Sequence, residues 1–103
     1  MLIGLLMILA LPVAAQRKVK FGIFDKATEQ PIIGAVITYA DNEKLKSPQR
    51  VVTNMDGEAT ISVPQSDKCY YQVVSVGYNP LNGIIGSGNS LKLFMTEDVM
   101  KVN

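Results

Sequence analysis

Residues 51–64, Val51-Val52-Thr53-Asn54-Met55-Asp56-Gly57-Glu58-Ala59-Thr60-Ile61-Ser62-Val63-Pro64, decide how the rest of the chain is read. Val51 to Thr53 are β-branched, and Ala59, Ile61 and Val63 alternate with Glu58, Thr60 and Ser62. That period of two marks strands with one apolar face. Asn54-Met55-Asp56-Gly57 between them is a strong turn signal, so the stretch predicts a β-hairpin closed by Pro64. A lone hairpin is marginal in water and must lay its apolar face on a second layer, which the remaining chain has to supply as strands.

Upstream, Lys18 to Asp25 predicts a strand with Val19, Phe21 and Ile23 on one face and Lys18, Lys20 and Gly22 on the other. After the polar turn ending in Pro31, Ile32 to Ala40 predicts a second strand in which Ala35, Ile37 and Tyr39 share a face. Gly34 at its entrance marks a bulge or a close backbone approach. Residues 41–50 are polar and carry Pro48, so they form a loop. Downstream, Tyr70 to Val76 predicts a strand buried on much of both faces. Gly77 opens a run of turn signals to Gly88 that leaves room for only a short strand at Ile84-Ile85. Leu91, Leu93 and Met95 alternate in a last strand. About seven short strands and no helix of useful length predict an all-β fold, a small antiparallel β-sandwich. Its core is expected to include Ala35, Ile37, Val73 and Leu93, with Asn54, Asp56, Gly57, Gly34 and Gly77 as structural turn residues.

Residues 1–15 predict a signal peptide. Leu2 to Ala15 hold no charge, are too short to span a bilayer as a helix, and end in the small residues Val13-Ala14-Ala15. Cleavage is expected before Gln16, leaving residues 16–96 as the domain and 97–103 as a tail. The first basic residue, Arg17, lies beyond the cut, so a basic leader region is missing from this sequence. Ten Lys and Arg against nine Asp and Glu leave a net charge of +1, which gives no electrostatic case for nucleic acid or an anionic membrane surface. The single cysteine, Cys69, excludes an internal disulfide and is expected as a small apolar residue at a strand start.

The chain has no histidine, which excludes Ser-His-Asp and Cys-His nucleophile activation and His-based zinc chemistry. The acidic pairs Asp41 and Glu43, Asp56 and Glu58, and Glu97 and Asp98 fall in turns, so no catalytic carboxylate pair is expected. Asp56-Gly57 with Asn54 and Glu58 lacks the spacing of a calcium loop. An Asx-type turn, in which the Asp56 side chain accepts from local amides, is the expected arrangement. Tyr39, Tyr70, Tyr71 and Tyr78 could stack on a sugar but are expected in the core or its rim, and Lys44, Lys46 and Arg50 on a solvated loop. A Lys-Asn crosslink would need Lys18 or Lys20 to meet Asn103, a wet strand face and a chain end. No catalytic residue, metal or cofactor is expected, and the chain is not read as an enzyme.

Four pieces in order carry a resemblance: Gly22 with Asp25, Gln30-Pro31-Ile32-Ile33-Gly34-Ala35, Thr53-Asn54-Met55-Asp56-Gly57 through Val63-Pro64, and Val76-Gly77-Tyr78. Together they resemble the carboxypeptidase regulatory-like domain, a transthyretin-like (prealbumin-like) Greek-key sandwich. It is found at the N-terminus of TonB-dependent outer-membrane receptors of the starch-utilisation type. Ala59 and Ser75 stand where that family has an aromatic and a large apolar residue, with Tyr70, Tyr71, Phe94 and Met95 available to fill the space. The resemblance implies a non-enzymatic exported interaction module, periplasmic or outer-membrane associated, with no membrane span after signal cleavage. Its partners would be envelope proteins, an outer-membrane receptor or TonB-system components, met through loops and strand edges. It also implies that the chain is the front of an interrupted receptor or a free-standing copy of the domain. A stand-alone carbohydrate-binding or adhesive surface domain is the alternative.

Overall fold

A computed structural model describes residues 16–64 and 68–99; the expected signal peptide and the crosslink partner Asn103 lie outside them. Among the described residues seven strands form two sheets: β1 (Gln16–Asp25), β2 (Val36–Ala40), β3 (Gln49–Val52), β4 (Glu58–Pro64), β5 (Cys69–Val74), β6 (Leu81–Ile85) and β7 (Ser90–Met95). One sheet has the order β4-β1-β7 and the other β3-β2-β5-β6. This is the expected all-β sandwich. All pairings are antiparallel except β1 with β7, which run parallel from Lys20↔Ser90 to Asp25↔Met95.

The alternation along β1 is kept as a face. Val19, Phe21 and Ile23 are buried while Lys18 and Lys20 are exposed, because successive side chains of a strand leave opposite sides of the sheet. Ala35, Ile37 and Val73 are buried with them, and Leu93 packs half-buried against the same cluster. Phe21 meets Tyr71 edge-on, ring centroids 5.4 Å apart at 77°. Burying each large side chain of the set Phe21, Ile23, Ile37, Ile61 and Met95 contributes about 1.5–3 kcal/mol. Tyr71 and Met95 are core residues, whereas Tyr70 is half-buried and Phe94 sits on the outer face.

Two expectations are corrected. β5 is not buried on both faces. It alternates, with Cys69, Tyr71 and Val73 inward and Val74 exposed, and it ends at Val74, so Val76 stands 98% exposed in the following loop. The second correction concerns residues 51–64, which are not a hairpin. β3 pairs with β2 and β4 pairs with β1, in different sheets.

Residues 53–57 are an arch that carries the chain from one sheet to the other. At its start, buried Thr53 accepts from Ala35 N–H at 2.9 Å through Oγ1 and donates that hydroxyl to the Ile32 carbonyl at 2.7 Å. The Thr53 N–H donates to the Ala35 carbonyl at 3.0 Å. At its end, the Gly57 carbonyl accepts from Ile23 N–H of β1 at 2.8 Å. Alternating residues on either side of a turn look the same whether the strands pair with each other or face each other across a core. What separates the two cases is the distant partners Ala35 and Ile23.

Candidate functional site

The end of the sandwich where β1 finishes holds a recess of about 390 Å³. Asp25, Thr28, Gln30 and Tyr78 give it polar groups, and Ile33 and Val76 give it an apolar rim. Asp25 is the last residue of β1, and its register partner is Met95 of β7. Its Oδ1 accepts from the N–H groups of Ala27 at 2.8 Å and Thr28 at 2.9 Å, an Asx-type turn that folds the chain back toward Pro31. The Gln30 carbonyl closes the turn by accepting from Asp25 N–H at 2.9 Å.

The other wall comes from the β5–β6 connection. Tyr78 N–H donates to the Ser75 carbonyl at 3.1 Å, and its hydroxyl donates to Asp25 Oδ2 at 2.7 Å. Behind it, Asn79 N–H donates to the Thr96 carbonyl and Asp98 N–H to the Gly77 carbonyl, so residues 96–98 are tied to the same loop. Asp25 is 8% exposed and has no Lys or Arg ion partner among the described residues. Its carboxylate is satisfied by hydrogen bonds, as a buried charge must be. The Tyr78 hydroxyl first, and then the Thr28 amide, hold the Asp25 carboxyl below its ordinary value. The same hydrogen bond is the first cause of the rise in the Tyr78 phenol. A carboxylate held low and already accepting is a poor proton acceptor near neutrality. It remains an anionic acceptor for hydroxyl donors.

The five turn residues singled out in the sequence divide in space. Gly34 lies in the recess wall with φ +80°, and Gly77 precedes Tyr78 with φ +87°. Gly57, φ +74°, backs the same region, because a Cβ there would stand 2.6 Å from the Ile23 carbonyl oxygen and 2.9 Å from Pro31 Cβ. Asn54 and Asp56 are exposed in the arch. The side chain that accepts there is Asn54, whose Oδ1 takes the N–H of Asp56 at 2.9 Å and of Glu58 at 3.0 Å. The expected Asx turn on Asp56 therefore belongs to Asn54.

The acidic pairs stay apart: Asp41 and Glu43 lie in the β2–β3 loop, while Glu58 pairs with Lys20 at 3.3 Å. The tyrosines do not form an exposed row. Tyr39 and Tyr71 are cross-strand partners in the core, and the Tyr39 hydroxyl donates to Gln49 Oε1 at 2.9 Å. A second recess, of about 290 Å³, opens at the far end between Gln16, Tyr39, Asp41, Lys46, Lys68 and Cys69. Burial there pushes the Cys69 thiol up.

Sequence reasoning found Asp25 and Tyr78 separately but not as a pair, since nothing local links residues 53 positions apart. Thr53 was also missed as an anchor; its position directly before the Asn-x-Asp-Gly turn was the available signal. No described helix is long and apolar enough to cross a membrane.

No family model and no curated protein matches the chain. Solved structures do. An intradiol ring-cleavage dioxygenase from Tetranychus urticae superposes with TM-score 0.55 at 17% identity, over 71% of this chain and 52% of its own. Hydroxyquinol 1,2-dioxygenase from Pseudomonas putida DLL-E4 gives 0.53 at 17%, over 73% and 39%. A further dioxygenase gives 0.51 at 15%, over 71% and 52%. The chain thus spans about half the length of these proteins or less, and at such identities the likeness is one of fold.

These neighbours overturn the expected kinship. They are dioxygenases, one of them an intradiol ring-cleavage enzyme, and not carboxypeptidase regulatory-like or transthyretin-like domains. The reading as a non-enzymatic module of the TonB-dependent receptor kind is withdrawn with it, and so is the reading as a non-enzyme, since the fold is shared with enzymes. The sugar-binding alternative gains nothing from them either. Motifs of a few residues such as Gln-Pro-x-x-Gly and Asp-Gly describe turns, and turns recur across sandwiches of different descent. Cleaving a ring with dioxygen calls for a centre that activates oxygen. Among the described residues no group of three His, Cys, Asp or Glu side chains converges, and both Asp25 oxygens are engaged. The described residues do not form such a centre by themselves.

Proposed function

We propose that the chain is the β-sandwich portion of a protein related to ring-cleavage dioxygenases, and that its recess holds a small hydroxylated aromatic. The observation that carries this reading is the Asp25–Tyr78 pair, 2.7 Å apart, in the wall of a recess of about 390 Å³. That volume lies toward the low end of the roughly 300–1,000 Å³ typical of small-molecule sites. A ring hydroxyl donates to Asp25 Oδ2 while the Tyr78 oxygen accepts from its neighbour, and the ring face rests on Ile33 and Val76. In this reading oxygen activation belongs to groups beyond the described residues. Residues 1–15 serve as an export signal cut before Gln16, and the sandwich works in the periplasm or at the outer membrane.

The test is anaerobic calorimetry with hydroxyquinol as the probe, on the wild type and on Tyr78→Phe. Saturable binding, weakened tenfold or more by the substitution, supports the proposal. Heats that never saturate, or equal affinity in both proteins, overturn it.

A further inference from the structure

We propose that Gln16 is a modification site, at which the new N-terminus closes on its own side chain to pyroglutamate. This goes beyond the binding proposal and rests on release of residues 1–15. In the step, the α-amine nitrogen attacks Cδ of the Gln16 side-chain amide. A ring C–N bond forms, the bond from Cδ to the amide nitrogen breaks, and that nitrogen leaves as ammonia with the proton given up by the amine. Nothing is oxidised or reduced, and no co-reactant is needed.

Three features of the fold favour the closure. First, Gln16 is the exposed first residue of β1, with Pro64 as its register partner. Proline has no N–H, so no ladder bond from Pro64 holds the Gln16 carbonyl while the ring forms. The lactam keeps the one N–H that residue 16 contributes to the strand, so β1 is not shortened.

Second, cationic side chains outnumber acidic ones near residue 16 along the strand and in the recess it borders. Arg17 and Lys18 follow it in the strand, and Lys46 and Lys68 line the same recess, with Asp41 as the acid there. Neighbouring cations favour the uncharged form of an amine, which is the form that attacks the amide. The Arg17 guanidinium is itself fixed in place, since it donates to the carbonyls of Gly86 and Gly88.

Third, Gln16 borders the second recess beside Tyr39 and Cys69. Closure replaces an ammonium by a neutral lactam, the better neighbour for that partly apolar wall.

The experiment expresses the full 103-residue chain in an exporting bacterium and measures the intact mass of the purified protein, with fragment spectra to place any change. The proposal predicts the mass of residues 16–103 less one ammonia, with the loss confined to residue 16. It also predicts a terminus closed to stepwise degradation until a pyroglutamyl aminopeptidase opens it. Gln16→Ala, cut at the same bond, shows the full mass and an open terminus. A wild-type chain that starts at Gln16 and keeps its ammonia after incubation at neutral pH overturns the modification while leaving the cleavage in place. An uncut chain, or one cut elsewhere, overturns both.

Discussion

The Tyr78 hydroxyl donates to Asp25 Oδ2 at 2.7 Å and so joins the end of β1 to the loop between β5 and β6. The two residues lie in strand systems of different sheets, so the bond acts as a tie across the open end of the sandwich. It also holds the loop to which residues 96–98 are fastened. The proposed ligand site uses the same two groups.

Tyr78→Phe removes that tie, and its effect depends on pH in a fixed direction. The Asp25 carboxyl is held below its ordinary value of 3.8, first by Tyr78, so the stability it contributes is present above 3.8 and is lost as pH falls through the lower folded value. The Tyr78 phenol is held above its ordinary value of 10.0, so its share is lost as pH rises past that point. Urea unfolding across pH is expected to show wild type and Tyr78→Phe furthest apart at neutral pH and converging in strong acid. A constant gap down to the most acidic point would show that the carboxylate is not the partner.

Gly57 and Gly34 separate backbone strain from steric clash. Both have φ in the left-handed region, +74° and +80°, where a β-carbon costs about 1–2 kcal/mol. At Gly34 the added carbon meets nothing within 4 Å, whereas at Gly57 it meets the Ile23 carbonyl at 2.6 Å. Gly34→Ala is therefore expected to lose about 1–2 kcal/mol, and Gly57→Ala clearly more, with Gly57→Val worse still. Chemical denaturation of the three variants checks the order.

Thr53 anchors the arch through a hydroxyl that both accepts and donates inside the core. Thr53→Val keeps the shape but leaves the Ala35 N–H and an Ile32 lone pair without that partner, a loss of about 1–3 kcal/mol. Thr53→Ser keeps the hydroxyl and is expected to stay closer to wild type. Loss in Thr53→Ser with none in Thr53→Val, measured by urea unfolding, would assign the role of Thr53 to its methyl group.

Cys69 is 6% exposed at the start of β5, and burial pushes its thiol up. A thiol-reactive dye at neutral pH is expected to label the native protein far more slowly than the protein in urea, since the thiolate is the reacting form.

How much of this could be read from the chain follows from the range of each interaction. Alternation is local, so Val19, Phe21 and Ile23, or Ala35 and Ile37, announce a face without knowledge of what covers it. The positive φ at Gly57 leaves the same kind of local trace, in Asn-x-Asp-Gly. The arch at 53–57 and the Asp25–Tyr78 tie leave none. Each depends on partners far along the chain, Ala35 and Ile23 in one case and a residue 53 positions away in the other. The parallel pairing of β1 with β7 is likewise set by the whole topology. The short motifs that suggested a family describe the turns of a sandwich, and the neighbours found by shape share the sandwich at 15–17% identity.

The central claim is a ligand in the recess between Asp25 and Tyr78, and amide NMR of the labelled protein titrated anaerobically with hydroxyquinol tests it most directly. The proposal predicts saturating shifts confined to Asp25, Thr28, Gln30, Gly34, Val76 and Tyr78, and their loss in Tyr78→Phe. Shifts that do not saturate, or that fall on the far recess around Tyr39 and Cys69, would contradict it.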